Sequence, residues 1–288
     1  MPLRLAAVLA LLLWTLPATA AAPLALSVHA RAYRQGEAVR VDITAPESAT
    51  DVVVRAFDTA WPVARVSTTQ WSALVGLDLE SRAGRYVVTA TASVDGQSLS
   101  ADHTITVTRA RFRQRRLAVA PRFVNPTLEQ QAEIARDTAL MTAIYASRLA
   151  APAWTAGFVR PVPHTANSAF GSRSVFNGEA RAPHAGTDFL SPAGTPVVAP
   201  GGGIVAAARS LFFTGHTVVL DHGTGVFSVL AHLSRIDVHE GDVVRAGDPV
   251  GLVGATGRVT GPHLHWALRI GSARVDALSV LAVTGSDR

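Results

Sequence analysis

Val39-Arg-Val-Asp-Ile43 alternates apolar and charged side chains at period two. A strand is the element that sends successive side chains to opposite faces, so one face of this stretch belongs in a core and the other in water. The pattern recurs outward along the chain. Ile105 and Val107 alternate with Thr104, Thr106 and Thr108, and Tyr86, Val88 and Ala90 alternate more weakly with Val87 and Thr89. Gly36, Pro46, Gly84 and Asp95-Gly96 punctuate these runs, as turns between short antiparallel strands do. Residues 23–108 therefore read as an all-β unit of about seven strands, the size of an immunoglobulin-like sandwich. Within it His29 and His103 read as surface or satisfied histidines.

The flanks differ in texture. Arg4 followed by the apolar run Leu5 to Leu16 and the small residues Ala18-Thr-Ala20 reads as a secretory signal over residues 1–22, too short for the roughly 20 apolar residues of a membrane span. Residues 109–153 read as a basic linker followed by a helix. The basic stretch is Arg109-Ala-Arg-Phe-Arg-Gln-Arg-Arg116, a solvated linker or edge, or a contact for anionic polymer. The helix runs from Thr127 to Leu149, with Thr127 as cap, Glu129 and Gln130 in the first turn, and Ile134, Met141, Tyr145, Leu140 and Ile144 at helical spacing. Pro152 lies beyond its end.

From residue 154 to 288, Gly and Pro separate short Val-rich runs at Pro196–Ala199, Gly203–Ala207, Thr217–Leu220, Val226–Leu230, Pro249–Val253 and His263–Ile270. These predict a second, antiparallel β domain, and a mainly β protein overall.

Composition bounds the chemistry. With 48% hydrophobic and 16% charged residues, the chain can bury real cores. It has no cysteine, so an exported chain gains no disulfide and any metal must be held by His and carboxylates. The net charge of +5 is carried by arginine with no lysine. It suits a polyanionic envelope, and no nucleic-acid recognition motif accompanies it.

Of the ten histidines, only His29 and His103 precede His164. His263-Leu-His265 is the most informative group, because residues two apart on a strand present both imidazoles to one face, with Leu264 and Trp266 on the other. His184-Ala-Gly-Thr-Asp188 places a His and a carboxylate four apart. An extended strand would separate them by roughly 13 Å, so they meet on one ion only on a helix or around a turn, and Gly186 would permit the turn. His232 ends an apolar run. Two His and one Asp leave a fourth corner for water, the pattern of a catalytic zinc site. There is no His-Glu-x-x-His and no Gly-x-Ser-x-Gly. Gly251, Gly254 and Gly257 read as hairpin punctuation. His216 and His222 read as structural or rim residues.

In this order the segments resemble the lysostaphin and LytM-type zinc endopeptidases: Phe170-Gly-Ser-Arg173, His184-Ala-Gly-Thr-Asp188, Gly194-Thr-Pro-Val-Val-Ala-Pro200, Gly215-His-Thr-Val-Val-Leu-Asp-His-Gly223, Ala231-His-Leu233, Gly241-Asp-Val-Val244, and Gly254-Ala-Thr-Gly257 through Gly261-Pro-His-Leu-His265. The N-terminal portion and Phe123-Val-Asn-Pro126 resemble Gram-negative members of the same family. The resemblance implies Zn2+ held by His184, Asp188 and His265, and catalytic histidines at His232 and His263. It also implies hydrolysis of peptide bonds in peptidoglycan stems or cross-links, by a protein exported to the periplasm or envelope. The family's usual Tyr two residues before His232 is Leu230 here. Two other roles remain open at this point: a wall-binding regulator that activates a separate amidase, and a structural zinc. The N-terminal sandwich is further read either as docking over the groove, keeping the enzyme latent, or as a spacer or partner-docking domain. Arg173 lines the groove or is structural.

Overall fold

The computed structural model describes residues 24–117, 125–147, 149, 153–167, 170–176, 179–180 and 182–285. The signal segment, Phe123-Val124 and Pro152 lie outside the described residues.

The alternation read in Val39–Ile43 is realised in β2 (Ala38–Thr44), where Val39, Val41 and Ile43 are buried and Arg40 and Asp42 are not. Each such burial is worth about 1.5–3 kcal/mol, enough to hold the register. Seven further strands complete this half: β1 (Ala25–Ala30), β3 (Thr50–Ala56), β4 (Thr59–Trp61), β5 (Ala64–Arg65), β6 (Gln70–Gly76), β7 (Gly84–Val94) and β8 (Gln97–Val107). They form two antiparallel four-stranded sheets, β1-β2-β6-β5 and β4-β3-β7-β8. The count is eight strands rather than about seven, because β4 and β5 are too short to show periodicity.

The basic stretch is ordered at its end. β9 (Gln114–Leu117) pairs in parallel with β10 (Arg173–Phe176), which pairs with β11 (Glu179–Ala180). The helix α1 (Leu128–Ala146) starts at a capping box in which the Thr127 side chain accepts from the Gln130 N–H and the Gln130 side chain accepts from the Thr127 N–H. Ile144, with Leu140, Met141 and Tyr145, packs on Ala207, Val219, Phe227 and Val229.

Those last four residues belong to a nine-stranded sheet built from β12 (Gly186–Phe189), β13 (Pro196–Val198), β14 (Gly203–Leu211), β15 (Gly215–Asp221), β16 (Val226–Ile236), β17 (Val243–Val244), β18 (Pro249–Val253), β19 (Leu264–Ile270) and β20 (Ala273–Val275). Its main order is β12-β19-β16-β15-β14-β17, with β18 on β16, β13 on β18 and β20 on β19. Every apolar run named from the sequence falls on one of these strands to within one residue. One face carries His265, Ala267 and Arg269 under α1. The opposite face carries Leu264, Trp266 and Leu268, all fully buried, with Phe158 stacked 6.5 Å from Trp266.

A second helix, α2 (Ala277–Thr284), capped by Asp276, was not expected from the sequence. It joins the two halves. The Ala38 N–H donates to Ser279 Oγ (2.9 Å), Arg40 donates to the Val283 carbonyl (2.9 Å), and Arg274 of β20 pairs with Asp78 (2.8 Å). The N-terminal sheets thus attach through α2 and β20. Thr187 also bonds Asp276, which puts α2 on the side of the sheet away from His265. Of the placements left open by the sequence, these contacts hold the sheets on the side away from the groove. Among the described residues no helix is long and apolar enough to cross a membrane.

Candidate metal centre

β12 is an edge strand whose inner neighbour is β19, and Asp188 stands directly opposite His265 in that pairing. Antiparallel register therefore brings together a carboxylate and an imidazole that lie 77 positions apart in sequence. His184 precedes β12 in a non-regular segment, so the chain has turned before the strand begins. The turn does not use Gly186: this residue sits at the start of β12 and is not among the glycines with positive φ. Gly186 is needed for space, because a Cβ there would run into the His265 ring.

The result is a compact cluster. Potential ligand atoms of His184, Asp188 and His265 all lie within 4.8 Å of one another. Asp188 Oδ1 is 3.2 Å from His184 Nε2 and 2.9 Å from His265 Nδ1, and the His184 and His265 rings meet edge to face at 4.8 Å. Bonds of about 2.0–2.1 Å to a tetrahedral zinc would set neighbouring ligand atoms roughly 3.3 Å apart. The spacing and the thiol-free N/O donor set therefore fit such an ion. Burial pushes the Asp188 carboxyl up, but hydrogen bonds from His184 and His265 outweigh it and hold the group far below the usual range, ionised and ready to ligate. Burial above all keeps His265 neutral, the form in which imidazole binds a metal.

Two more imidazoles line the same spot. His263 enters β19 at an isolated bridge to Gly254, with Nδ1 2.9 Å from the Gly261 carbonyl and Nε2 3.7 Å from Asp188 Oδ1. His232 lies in β16 at a bulge. Val218 pairs with Leu230 and His216 with Leu233, so β16 carries one residue more than β15 between the same rungs, and His232 takes φ +66°. Bulges re-aim side chains, and this one turns His232 to within 4.9 Å of the His263 ring and 5.7 Å of the His265 ring. His232 Nδ1 faces the Thr256 carbonyl at 2.9 Å. A carbonyl only accepts, so both rings carry hydrogen on Nδ1. Burial, reinforced by the neighbouring His265 and His263, pushes His232 down to about 3.

All five residues singled out from the sequence converge. Leu230, at the position of the family's usual Tyr, is buried and adds no polar group. His222 is structural, held between the Gly202 carbonyl and Ser228 Oγ. Arg173 is exposed. Sequence reasoning missed Thr256, whose carbonyl orients His232 and whose hydroxyl donates to the Leu233 carbonyl. The motif Gly254-Ala-Thr-Gly257 was the signal available for it. Beside His265, under α1, runs a groove of about 380 Å³ lined by Met141, Tyr145, Phe213, Val229, Ala267 and Arg269.

Residues 182–277 match the model of peptidase family M23. A 97-residue segment is 46% identical to the peptidoglycan DD-endopeptidase ShyA of Vibrio cholerae, covering 34% of this chain and 23% of that protein. Another of 101 residues is 42% identical to the DD-carboxypeptidase/endopeptidase Mpg of Neisseria meningitidis, covering 35% and 23%. The chain thus spans about a quarter of the length of these curated relatives. The solved structure of a Pseudomonas aeruginosa protein assigned to peptidase M23 aligns with a TM-score of 0.66 at 29% identity, over 89% of this chain and 97% of that one. Residues 182–277, which hold the histidine and aspartate cluster, are thus similar to peptidase family M23.

Proposed function

We propose that the chain is a zinc endopeptidase that hydrolyses peptide bonds in peptidoglycan stems or cross-links and acts outside the cytoplasm, in the periplasm or envelope. The observation that carries this reading is the convergence of His184, Asp188 and His265 on one point, with His232 and His263 beside it. The names of the relatives from Vibrio cholerae and Neisseria meningitidis support the substrate class. The corresponding domain plan is a signal peptide over residues 1–22, a β-sandwich over 23–108, a linker and helix over 109–153, and the peptidase over 154–288.

In this reading His184, Asp188 and His265 hold Zn2+. When bound, the ion supplies Lewis-acid polarisation of a carbonyl and lowers the pKa of water to about 7. The chain's own residues do the rest. The groove floor of His265, Ala267 and Val229 is strand-built and suits an extended peptide. The His232 and His263 rings stand beside the cluster, where the one that accepts the water proton becomes a cation, steadies the anionic intermediate and can hand that proton on to the leaving amine. Thr256 and Gly261 fix those two rings through their carbonyls, so little reorganisation is needed.

Purified sacculi incubated with the protein, with and without a zinc chelator, test the proposal by mass spectrometry of the released fragments. The expected outcome is chelator-sensitive release of peptide-cleaved muropeptides. Release that ignores the chelator, or products cut only in the glycan, would overturn it.

A further inference from the structure

The N-terminal sheets and linker touch the metal cluster by two separate routes. The first runs through α2. Arg31, just beyond β1, donates to Asp276 Oδ2 (2.6 Å), and the other oxygen of Asp276 accepts the hydroxyl of Thr187 (2.8 Å) and the N–H of Leu278 (3.1 Å). Thr187 is fully buried and immediately precedes Asp188. Arg31 is itself fixed by two bonds to the buried Glu37 (3.0 and 2.9 Å). β12 pairs with β19 along one side and, on the other, only with residues 165–167, through the Ala166–Phe189 bridge and the Asn167 N–H on the Asp188 carbonyl (2.9 Å). The Thr187–Asp276 bond thus pins its back face together with Phe189, which packs on Trp266 at 6.3 Å.

The second route runs through the linker. The Ala110 N–H donates to Gln35 Oε1 (3.1 Å), and the Phe112 ring lies against Gly171, where a Cβ would collide with it. Phe112 also meets Phe170 edge to face at 6.4 Å, and Phe170 rests on Gly36. The Gly171 N–H donates to the His184 carbonyl (2.8 Å), the His184 N–H donates to the Ser172 carbonyl (2.9 Å), and the Arg173 N–H donates to the Arg113 carbonyl (2.8 Å). Both backbone groups of His184 are thus tied to a segment that the linker clamps. The residues before β12 belong to no regular element, so these bonds and this clamp set where the His184 imidazole stands.

We propose that the N-terminal sheets and linker are a positioning scaffold for the metal ligands, with Arg31 acting on Asp188 through Asp276 and Thr187, and Phe112 acting on His184 through Gly171 and Ser172. Groups that orient metal ligands commonly govern affinity as well as fold. This inference rests on the zinc reading above and assigns the N-terminal half a role opposite to occlusion: it completes the site.

The test uses the full chain and measures zinc affinity by competition with a chromophoric chelator, beside thermal melting without metal. Arg31→Met and Phe112→Ala are each expected to weaken zinc binding by about 10–100-fold, the usual cost of losing an orienting contact. Phe112→Leu, which refills the space over Gly171, is expected to restore most of the affinity. Asp78→Asn weakens an ion pair between the same two halves that lies off both routes, and is expected to lower the melting temperature while zinc affinity stays at the wild-type value. Two results overturn the inference alone: Arg31→Met and Phe112→Ala proteins that melt lower yet bind zinc as tightly as wild type, or an Asp78→Asn protein that loses as much affinity as they do. A wild-type chain that takes up no zinc overturns the metal reading, and this inference with it.

Discussion

At the residue scale the site depends on side chains whose roles differ in kind. His265 is a ligand in the proposed centre, so His265→Ala is expected to abolish both zinc uptake and muropeptide release. Retention of either, measured on folded protein, would contradict the assignment. Gly186 has no side chain to contribute, yet Gly186→Ala is expected to be nearly as damaging. The added methyl would occupy the space of the His265 ring, and an ångström of misplacement in a catalytic group is worth about 10²-fold in rate. Zinc titration and activity should fall together while the far-ultraviolet spectrum is kept. The pairing of His263 with His265 was readable, because strand periodicity alone puts both on one face. The need for Gly186 was readable as a need for glycine but not for the right reason, since the close approach comes from the opposite strand, which no local pattern reports.

At the scale of elements, the bulge in β16 does the most for function. One extra residue between two rungs turns His232 out of an otherwise buried strand, and the loop holding Thr256 locks it there. The Thr256 hydroxyl donates to the Leu233 carbonyl and accepts from the His216 N–H (2.9 Å), tying the loop to both strands of the bulge. Thr256→Val removes both bonds without touching a proposed ligand. The expected result is zinc affinity unchanged and kcat lower by about tenfold, part of the 10²–10⁴-fold a positioned proton-transfer group supplies. Equal losses of affinity and kcat would place Thr256 in the metal cluster's support instead. Sequence periodicity revealed the strand but not the bulge, because a one-residue insertion does not disturb an all-apolar run. α2 escaped for a related reason. Leu278-Ser-Val-Leu-Ala-Val283 is short and β-branched, and only the Asp276 cap and burial of Val280 and Val283 against β1 and β2 make it a helix. The helix α1 was legible because its capping box and its periodic apolar residues agree. Ile144, its one buried residue, closes the small cluster over Phe227 and Val229. Ile144→Ala is expected to cost about 2–4 kcal/mol of stability by leaving a cavity, read from denaturant melts.

At the scale of the whole molecule, two β units that looked independent in sequence share one continuous core from Ala38 to Val283. Their boundary has no loose hinge. Gly76 lets β6 approach so closely that a Cβ would meet Ala273, and Arg274 grips Asp78 with two side-chain bonds and its own N–H. Burial pushes the Asp78 carboxyl up, but the bonds from Arg274 prevail and hold it below its ordinary value, while the same contact raises Arg274. The sign of the linkage follows. A carboxyl depressed in the folded state stabilises the protein fully above its unfolded value of about 3.9, and that contribution disappears as pH falls through the lower folded value. Wild type and Asp78→Asn are therefore expected to differ most in melting temperature near neutral pH, with wild type higher. Below about pH 4, as the Asp78 carboxylate is protonated, the two curves should converge. Melting curves that stay parallel down to pH 3 would show that the pair contributes no pH-dependent stability at this boundary.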